Sequence, residues 1–591
     1  MSGRLAPLGP AALSVGAGVC LWASFAPLHL WPSAVLGVAL LIAALRGRGF
    51  RASFACGFAT GAVFFGLLCD WATEAAGTWI ARVGLGGVLA LYIAVLALVW
   101  QAFLRAWGGC AQATTGARKT QDTKDPAGKA GAAANKACAW KLVPALAVAW
   151  IAVEDLQGTW PEGGMPWGKL AFGQVEGPLV RLAPYGSTEL VSFAVVALGA
   201  SLAYVAQNVR ARPRRAFAAA VGVCAALAAT AAIPLGGPPV SSVKVGFVQG
   251  NVSRDKSLTG YARAVSVTER LAKQTRKIEG EGAELVLWPE SSSDLDPETT
   301  PEARGVIEGA LSRLGVPLVL GIQRYPEDYR YNEYTLWLPG KGLTARYTKL
   351  HPVPFGEYIP ARGFFRLFTK AVDRVSTDMR AGKGSAVLDV PLRGRRVRIA
   401  APICFEVAYN EIVSESVRKG ASLLTVPTNN ASFGDSAESR QQFDMTRFRA
   451  VETRRTAIQV STMGVSGIVD ADGTVREKTG MWKADARVAS VGLHTHVTPA
   501  VRWGGPMRLA WNLAAGATTA LALWRMRRLP QRRRLGRRRR TNLSDGAQGP
   551  NGPAPDPPAA DSNGQPFPSE SRTESIGIEN VRNEDNNKEK R

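Results

Sequence analysis

The sequence predicts a polytopic α-helical membrane domain of about eight spans joined to an α/β domain with the layer order αββα. Three observations support this fold class. Long apolar runs fill most of residues 5–235, short β-rich runs alternate with helical stretches over residues 243–500, and Lys and Arg collect in alternate connections between the apolar runs. Residues 541–591 are rich in Pro, Gly, Ser, Asn and Glu, which is typical of disorder.

Eight apolar runs approach the roughly 20 residues that a helix needs to cross the hydrocarbon core. The second and fifth are short, and the first is not a removable signal peptide because further runs follow at once. The predicted spans are 5–26, 30–45, 52–71, 83–105, 140–156, 187–207, 216–235 and 507–525. We therefore expect seven spans within residues 1–240, a soluble domain at 241–500, an eighth span within 501–528, and a basic and then disordered tail at 529–591.

Positive charge is distributed unevenly between the two sides of these spans. Every second connection is rich in Lys and Arg, and ten arginines lie between Arg525 and Arg540. The remaining connections are nearly neutral or acidic, so the termini are predicted to be cytoplasmic and the soluble domain to face outward. The net charge of +24 also suggests nucleic-acid binding. The arginines at 532–540 follow a span directly, which favours a lipid-headgroup anchor and no nucleic-acid partner.

Two connections are unusual. Residues 156–186 contain Trp160-Pro161 and Met165-Pro166-Trp167, so Pro and Gly interrupt any helix there. The segment is either an interfacial loop anchored by Trp or a re-entrant element that lines a lipid entrance. The long inner loop 106–139 is predicted to be disordered, like the tail.

The soluble domain alternates predicted strands with predicted helices. Helices are expected at 261–278, 304–314, 406–419 and 436–455, and strands at 243–248, 285–288, 317–322, 396–403, 423–426, 457–460 and 467–469. A hairpin-like stretch precedes Lys349. Alternation of this kind favours an α/β domain in layers.

Three polar side chains follow buried strands of this domain, where sheet folds commonly build their sites. Glu290 follows Leu-Val-Leu-Trp-Pro, Lys349 follows Tyr347-Thr348, and Cys404 follows Ile-Ala-Ala-Pro-Ile. A carboxylate can take the thiol proton, an ammonium can stabilise the thiolate and an oxyanion, and a helix beginning at Cys404 would lower the thiol pKa further. Cys404 is the only one of seven cysteines in the domain, so an internal disulfide is excluded. A lone cysteine is more often a small buried apolar residue than a nucleophile, and a carboxylate such as Glu290, taken alone, is more often on the surface.

The local sequences around these residues resemble the nitrilase, or carbon–nitrogen hydrolase, superfamily. Trp288-Pro289-Glu290-Ser291, Tyr347-Thr348-Lys349 and Ile403-Cys404-Phe405-Glu406 match its Glu-Lys-Cys triad in order. The α/β domain lies between predicted spans, and within it the stretches 349–360 and 442–452 resemble the apolipoprotein N-acyltransferase branch of this superfamily. The sequence departs from that branch at Phe405, where Tyr is usual, and at Ser432, where Trp is usual.

The resemblance implies a function and a role for each residue. Glu290 would be the general base, Lys349 the oxyanion-stabilising cation and Cys404 the nucleophile, supported by Glu357 and Glu406. Glu357 could instead form a structural ion pair, and Glu406 could simply cap a helix. The implied reaction is ping-pong: a phospholipid, expected to be phosphatidylethanolamine, acylates Cys404, and the amine of a diacylglyceryl-cysteine apolipoprotein accepts the acyl group.

The resemblance also implies a cellular setting. The expected location is a bacterial inner membrane with a periplasmic catalytic domain, and neither a metal nor a cofactor is expected. Two alternatives remain at this point. One is a membrane-anchored amidase that hydrolyses a small amide, and the other is a non-catalytic lipid- or lipoprotein-binding transporter. Eight spans exceed what an anchor needs, and an intact triad argues against a module without activity.

Overall fold

The computed structural model describes residues 9–108, 126–253 and 259–544. The chain divides into two units, residues 1–530 and 531–591, and of the second unit only the end of the last helix is described. The membrane part of the first unit contains α1 (Pro10–Ala23), α2 (Trp31–Leu45), α3 (Phe50–Leu68), α4 (Trp71–Ala76), α5 (Trp79–Gly108), α6 (Pro126–Gln157), α7 (Ala183–Asn208) and α8 (Pro213–Ala231). The last helix is α14 (Pro499–Ser544).

The predicted count of about eight spans is not confirmed. Within the described ranges, four helical segments are long and apolar enough to cross a membrane: Phe50–Leu68, Trp79–Trp107, Pro178–Asn208 and Pro213–Ala231. Helices α1 and α2 are apolar but have only 14 and 15 residues. Their length and composition agree with a membrane protein, and the number of spans stays a prediction.

Small residues let the membrane helices approach each other closely. A Cβ atom on Gly57 would lie 2.5 Å from the Ala97 side chain, and one on Gly61 would lie 2.7 Å from the Ala90 backbone. Helices α3 and α5 consequently pack with their backbones almost in contact, as is typical of helix pairs in lipid.

Residues 241–493 form two six-stranded mixed sheets. The first sheet has the order β12-β1-β2-β3-β4-β5 and the second the order β11-β10-β9-β8-β7-β6. The strands are β1 (Ser241–Gln249), β2 (Leu285–Leu287), β3 (Leu318–Arg324), β4 (Tyr331–Leu338), β5 (Gly342–Thr348), β6 (Val387–Leu392), β7 (Arg395–Ala400), β8 (Leu423–Thr428), β9 (Ala457–Ser461), β10 (Gly467–Val469), β11 (Val475–Lys478) and β12 (Asp485–Leu493).

Helices cover the outer face of each sheet, as the αββα prediction requires. The five helices of this domain are α9 (Gly260–Thr275), α10 (Pro301–Leu314), α11 (Arg362–Arg366), α12 (Asn410–Arg418) and α13 (Glu438–Thr453). Side chains alternate along β1, where Val245 and Phe247 point to the core between the sheets and Val248 packs under α9. The prediction of this layered α/β fold is confirmed.

Two predictions of disorder need correction. Residues 126–139 were expected to belong to a disordered inner loop, but the backbone there is the first part of α6. Ala and Lys are frequent in this stretch and favour a helix that continues into the apolar run behind it. The tail prediction for 541–591 is wrong for its first four residues, which end α14, and its remainder lies outside the described residues.

Candidate active site

Glu290 lies just beyond the end of β2, in a backbone turn with little freedom. Ser291, the next residue, has a left-handed φ of +49°. Gly321 of β3 lies directly beneath, since a Cβ there would be 2.6 Å from the Glu290 Cα. The carboxylate accepts hydrogen bonds from Asn332 Nδ2 at 2.6 Å and from the backbone N–H of Asn429 at 2.7 Å. Glu290 is therefore a buried and oriented carboxylate rather than a surface one.

Lys349 follows β5 and lies between two carboxylates. Its Nζ is 3.3 Å from Glu290 Oε1 and 2.7 Å from Glu357 Oε1, and its side chain is only 1% exposed. Burial opposes the charge, but the carboxylates of Glu357 and Glu290 hold the pKa of Lys349 above its ordinary value. The second oxygen of Glu357 accepts the N–H of Val353 at 2.7 Å. Glu357 therefore forms an ion pair, and its partner is Lys349 of the predicted triad.

Cys404 follows β7 and the loop at 401–403, and its thiol points into the same buried space. Its φ is +55°, a left-handed conformation that is uncommon outside glycine. The sulfur accepts hydrogen bonds from Thr428 Oγ1 and Gln442 Nε2, each at 3.3 Å. Burial and then the charge of Glu290 raise the pKa of Cys404, while the charge of Lys349 lowers it. The resting thiol therefore keeps its proton until a base removes it.

The expectation of a helix dipole at Cys404 is wrong. The helix predicted over 406–419 is interrupted at Tyr409, which has extended backbone angles. A five-residue 3₁₀ turn, Cys404–Ala408, precedes α12, which begins only at Asn410. The N-terminus of α12 therefore does not begin at the thiol, and after burial the charges of Glu290 and Lys349 have the largest effects on the pKa of Cys404.

Glu406 is completely buried and connects the cysteine turn to the lysine loop. Its carboxylate accepts the Ile403 N–H at 2.8 Å, the Leu350 N–H at 2.6 Å and the Tyr347 hydroxyl at 2.8 Å. Burial raises the pKa of Glu406 to about 7, against the lowering effect of Lys349. The side chain caps the 3₁₀ turn, as the alternative suggested, and also holds the Lys349 loop against the Cys404 loop.

Four polar residues of the site were not predicted. Asn332 on β4 donates to Glu290, Thr428 at the end of β8 and Gln442 on α13 donate to the thiol, and Glu438 accepts from Asn430 at 2.8 Å. None of them follows a recognisable strand-end motif. Gln442 had a signal, since it begins the stretch 442–452 that resembles the acyltransferase branch.

Aromatic side chains connect the thiol region to the membrane part. The ring of Trp167 stacks on Phe405 with 5.9 Å between centroids, and its Nε1 donates to Gln441 Oε1 at 2.7 Å. Trp71 meets the edge of Trp167 at 5.6 Å and of Phe433 at 5.5 Å. Trp167 thus packs its segment, residues 156–186, against the α/β domain beside the cysteine. This segment contains two 3₁₀ turns, Leu170–Gln174 and Pro178–Leu182.

This arrangement has the chemistry of a covalent acyl carrier. Glu290 can accept a proton, Lys349 supplies a fixed positive charge, and Cys404 offers a buried thiol. Within the described ranges no three His, Cys, Asp or Glu side chains are grouped as metal ligands would be. His351, which lies in the family-like stretch, stacks on Tyr409 at 4.4 Å between centroids.

Two family models match the chain. The first is described as the apolipoprotein N-acyltransferase N-terminal domain and matches residues 17–201. The second is described as carbon–nitrogen hydrolase and matches residues 244–496. The two matches correspond to the membrane part and to the α/β domain, so the latter is a nitrilase-like fold.

Named relatives agree with these matches. The apolipoprotein N-acyltransferase of Mycolicibacterium smegmatis is 31% identical over 60% of this chain and 63% of the relative. That of Azotobacter vinelandii is 29% identical over 88% of this chain and 95% of the relative. That of Pseudomonas putida is 28% identical over 85% and 96%. Among solved structures, an amidase from Nesterenkonia sp. AN1 aligns with 46% of this chain and 99% of its own, at 18% identity and a TM-score of 0.34.

Proposed function

Because the chain belongs to the apolipoprotein N-acyltransferase family, we propose that it is an acyltransferase that acylates the N-terminal amine of diacylglyceryl-cysteine apolipoproteins. The acyl group would come from a membrane phospholipid and pass through a thioester on Cys404. One observation carries this mechanism: Lys349 Nζ lies within 3.3 Å of Glu290 in a buried space where both charges act on the Cys404 thiol.

Acylation of Cys404 is the first half of the proposed reaction. Glu290 takes the thiol proton as the sulfur attacks the carbonyl carbon of the phospholipid ester. The negative charge that develops on the carbonyl oxygen is stabilised by Lys349, whose ammonium is held in place by Glu357. When the ester C–O bond breaks, the proton on Glu290 passes to the departing oxygen, and a lysophospholipid leaves.

Transfer to the apolipoprotein is the second half. The neutral amine of the lipidated cysteine attacks the thioester carbonyl, and Glu290 accepts a proton from the nitrogen. Collapse of the second tetrahedral intermediate breaks the C–S bond, and the proton returns to the sulfur of Cys404. An amide is formed and the resting thiol is regenerated, without a metal or a cofactor.

The proposed donor is phosphatidylethanolamine, and the proposed setting is a bacterial inner membrane. We propose that residues 1–240 hold seven spans, residues 501–528 the eighth, and residues 529–591 a cytoplasmic tail, with the catalytic domain at 241–500 in the periplasm. The distribution of Lys and Arg supports this orientation. Two bilayer-held substrates would then meet at the outer surface, where their reacting groups lie.

The thioester is tested by intact-mass measurement of the purified full chain after incubation with phosphatidylethanolamine. We expect one added acyl mass that hydroxylamine removes, and we expect no adduct on Cys404→Ala. Cys224→Ala is the matched control because Cys224 is an exposed cysteine of α8; it should acylate like the unaltered chain. No adduct on a folded, unaltered chain would overturn the acyl-enzyme mechanism.

The acceptor separates this function from the two alternatives. If water, rather than the amine of a diacylglyceryl peptide, takes the acyl group at full rate, the protein is an amidase-like hydrolase. If the thiol shows no selective reactivity toward alkylating reagents, a binding module is favoured.

The orientation is tested with a membrane-impermeant maleimide on intact cells. Arg393→Cys is expected to be labelled without permeabilisation, because Arg393 is exposed on the β6–β7 turn of the α/β domain. Arg48→Cys, between α2 and α3, should be labelled only in opened cells. The reverse pattern would overturn the proposed topology.

A further inference from the structure

A cavity of about 430 Å³ lies between the membrane part and the α/β domain, separate from the thiol. Its lining includes His29, Glu176, Arg440, Asp444, Arg447 and Lys478. This volume falls in the range of about 300–1,000 Å³ that is typical of small-molecule sites. The mechanism proposed above uses none of these residues.

The geometry of α13 places this cavity on the side of the helix away from the reacting sulfur. Residues 440, 444 and 447 are spaced four and three apart, so they share one face. Gln442, which contacts the Cys404 sulfur, is offset from Arg440 by about 200° at roughly 100° per residue. A ligand in the cavity would therefore not reach the thiol.

Most of the lining charges already have partners. Arg447 Nη1 lies 2.5 Å from Glu176 Oε1, and His29 Nε2 lies 2.8 Å from Asp444 Oδ2. The His29–Asp444 pair joins the α1–α2 connection to α13. The Glu176–Arg447 pair joins the segment just before Pro178–Leu182 to the same helix. They leave the cavity with two other cations, Arg440 and Lys478.

Those two cations have no hydrogen-bond or ion-pair partner in the part of the chain that the structure describes. The Nε atom of Arg440 is buried and unsatisfied. Lys478 Nζ lies 5.5 Å from the centre of the Phe443 ring. The carboxylate of Asp70 interacts with the charge of Arg440, and that of Glu176 with the charge of Lys478, but only at longer range than an ion pair. A buried unsatisfied donor is costly, so an anionic group beside Arg440 would stabilise that side chain, and the exposed ammonium of Lys478 would add a second attractive charge.

A second cavity of about 340 Å³ adjoins the first. The two share Glu176, Arg447, Asp472 and Gly473 in their linings. Apolar side chains form one part of the second lining, which also includes Arg181; these side chains are Val175, Pro178, Val180, Ala231, Leu235 and Val451. Ala231 ends α8 and Pro178–Leu182 leads into α7, so this cavity lies at the ends of two membrane helices.

We propose that the two cavities form a phospholipid site distinct from the reacting thiol. The phosphate of a zwitterionic lipid would lie between Arg440 and Lys478, and its ammonium would face the carboxylate of Asp472. The first part of an acyl chain would lie along the apolar part of the second cavity, beside Val180 and Leu235. A charged cavity that continues into one with an apolar wall, at the ends of membrane helices, offers both the charged and the apolar contacts that a phospholipid makes.

The test uses the Cys404→Ala chain in lipid nanodiscs, so that no acyl transfer occurs and the result does not depend on the proposed reaction. A small fraction of phosphatidylethanolamine carries a photoreactive diazirine near the start of one acyl chain. After illumination, we expect adducts on residues 175–182 and 231–235. Arg440→Glu should reduce these adducts about tenfold, as expected when a hydrogen bond between charged groups is lost, and leave adducts on α5 unchanged.

Controls make the outcome decisive. Arg440 has no partner to lose, so Arg440→Gln should fold normally and also reduce the adducts. Arg393→Glu is the matched charge reversal at an exposed site and should leave the labelling intact. A diacylglycerol probe without phosphate should label these segments weakly. Equal labelling by that probe, labelling insensitive to Arg440, or thermal stabilisation by inorganic phosphate with no selective lipid labelling would each overturn the proposal.

Discussion

At the scale of single residues, hydrogen-bond partners rather than residue type decide what each carboxylate of the site can do. Glu290 is held by Asn332, Asn429 and Lys349, which leaves it oriented toward the thiol space. Glu406 receives four backbone and side-chain donors and connects two loops. The first arrangement suits a base and the second a structural support.

Asn332 is predicted to be a positioning residue for the base. Asn332→Ala removes the 2.6 Å hydrogen bond to Glu290 and leaves that oxygen only Lys349 as a partner. We expect the rate of acyl-enzyme formation to fall by about tenfold, less than the 10²–10⁴ associated with loss of a general base itself. A time course of intact mass measures it, with Glu290→Gln for comparison. An unchanged acylation rate would contradict the assigned role.

Glu438 is predicted to make stability depend on pH. Burial raises the pKa of Glu438 to about 8, above its ordinary value of 4.5, so the folded protein keeps a proton that the unfolded chain releases. The resulting stability is fully present below pH 4.5 and is lost as pH rises through 8, with a slope of at most about 1.4 kcal/mol per unit.

The measurement is the melting temperature of the unaltered chain and of Glu438→Gln between pH 5 and 9. The variant mimics the protonated carboxyl, so its melting temperature should fall less with rising pH. Glu406 has a pKa raised to about 7 and acts in the same direction in both proteins, so the difference isolates Glu438. Parallel curves would show that Glu438 is already ionised.

At the scale of elements, the site depends on close contacts between strand ends. Strands β2 and β3 are parallel neighbours, and the turn that carries Glu290 rests on Gly321 of β3. Cys404 and Ser291 both take left-handed backbone angles, which turn their chains sharply out of the sheets. Such positions cost free energy and persist only where the surrounding packing holds them.

Gly321→Ala is predicted to damage catalysis more than folding. The new Cβ would lie 2.6 Å from the Glu290 Cα and 2.7 Å from the Ser291 N, so the backbone of the turn must shift. We expect activity to fall by about 10²-fold, since a displacement near 1 Å can have that effect, with a stability loss of about 1–3 kcal/mol. Gly305→Ala in α10 is the control, because its Cβ would enter open space. Equal activity of the two variants would refute the constraint.

At the scale of the whole molecule, the membrane part and the α/β domain share one interior around residues 156–186. Trp167 contacts Phe405 and Gln441 of the α/β domain and Trp71 of the membrane part. The same Gln441 donates to the Leu68 carbonyl at 3.1 Å. The thiol is therefore placed relative to the membrane helices by packing, which fits an enzyme whose substrates are held in a bilayer.

Trp167→Ala is predicted to loosen this junction. The substitution removes a buried indole, its stacking on Phe405 and its hydrogen bond to Gln441. Truncation of a buried Trp lowers the free energy of unfolding by about 3–5 kcal/mol. We expect a clearly lower melting temperature and slower acylation by phosphatidylethanolamine. Trp160→Ala is the matched control because that side chain is 64% exposed, and it should melt normally. If both variants melt alike, the junction does not depend on Trp167.

The sequence by itself was sufficient for the layered α/β fold, for the membrane character and for a small set of residues worth examining. Hydrophobic periodicity is local, so strands such as β1 and helices such as α13 could be predicted from adjacent residues. The order of Glu290, Lys349 and Cys404 was informative because each follows a strand within a motif of a few residues. The uneven distribution of Lys and Arg between the connections is likewise visible in the sequence without a structure.

Only the tertiary structure decided which distant groups meet. Asn332 and Thr428 were not predicted because their importance arises from contacts with residues 42 and 24 positions away. Gln442 lies in a family-like stretch, but its partner Cys404 is 38 positions away, so its contact with the thiol was not predicted either. The break at Tyr409 that removes the helix dipole from Cys404 was hidden for the same reason, since Glu406 there bonds to the Lys349 loop rather than to a continuing helix. Contacts across the chain are set by packing, which a reading of neighbouring residues does not contain.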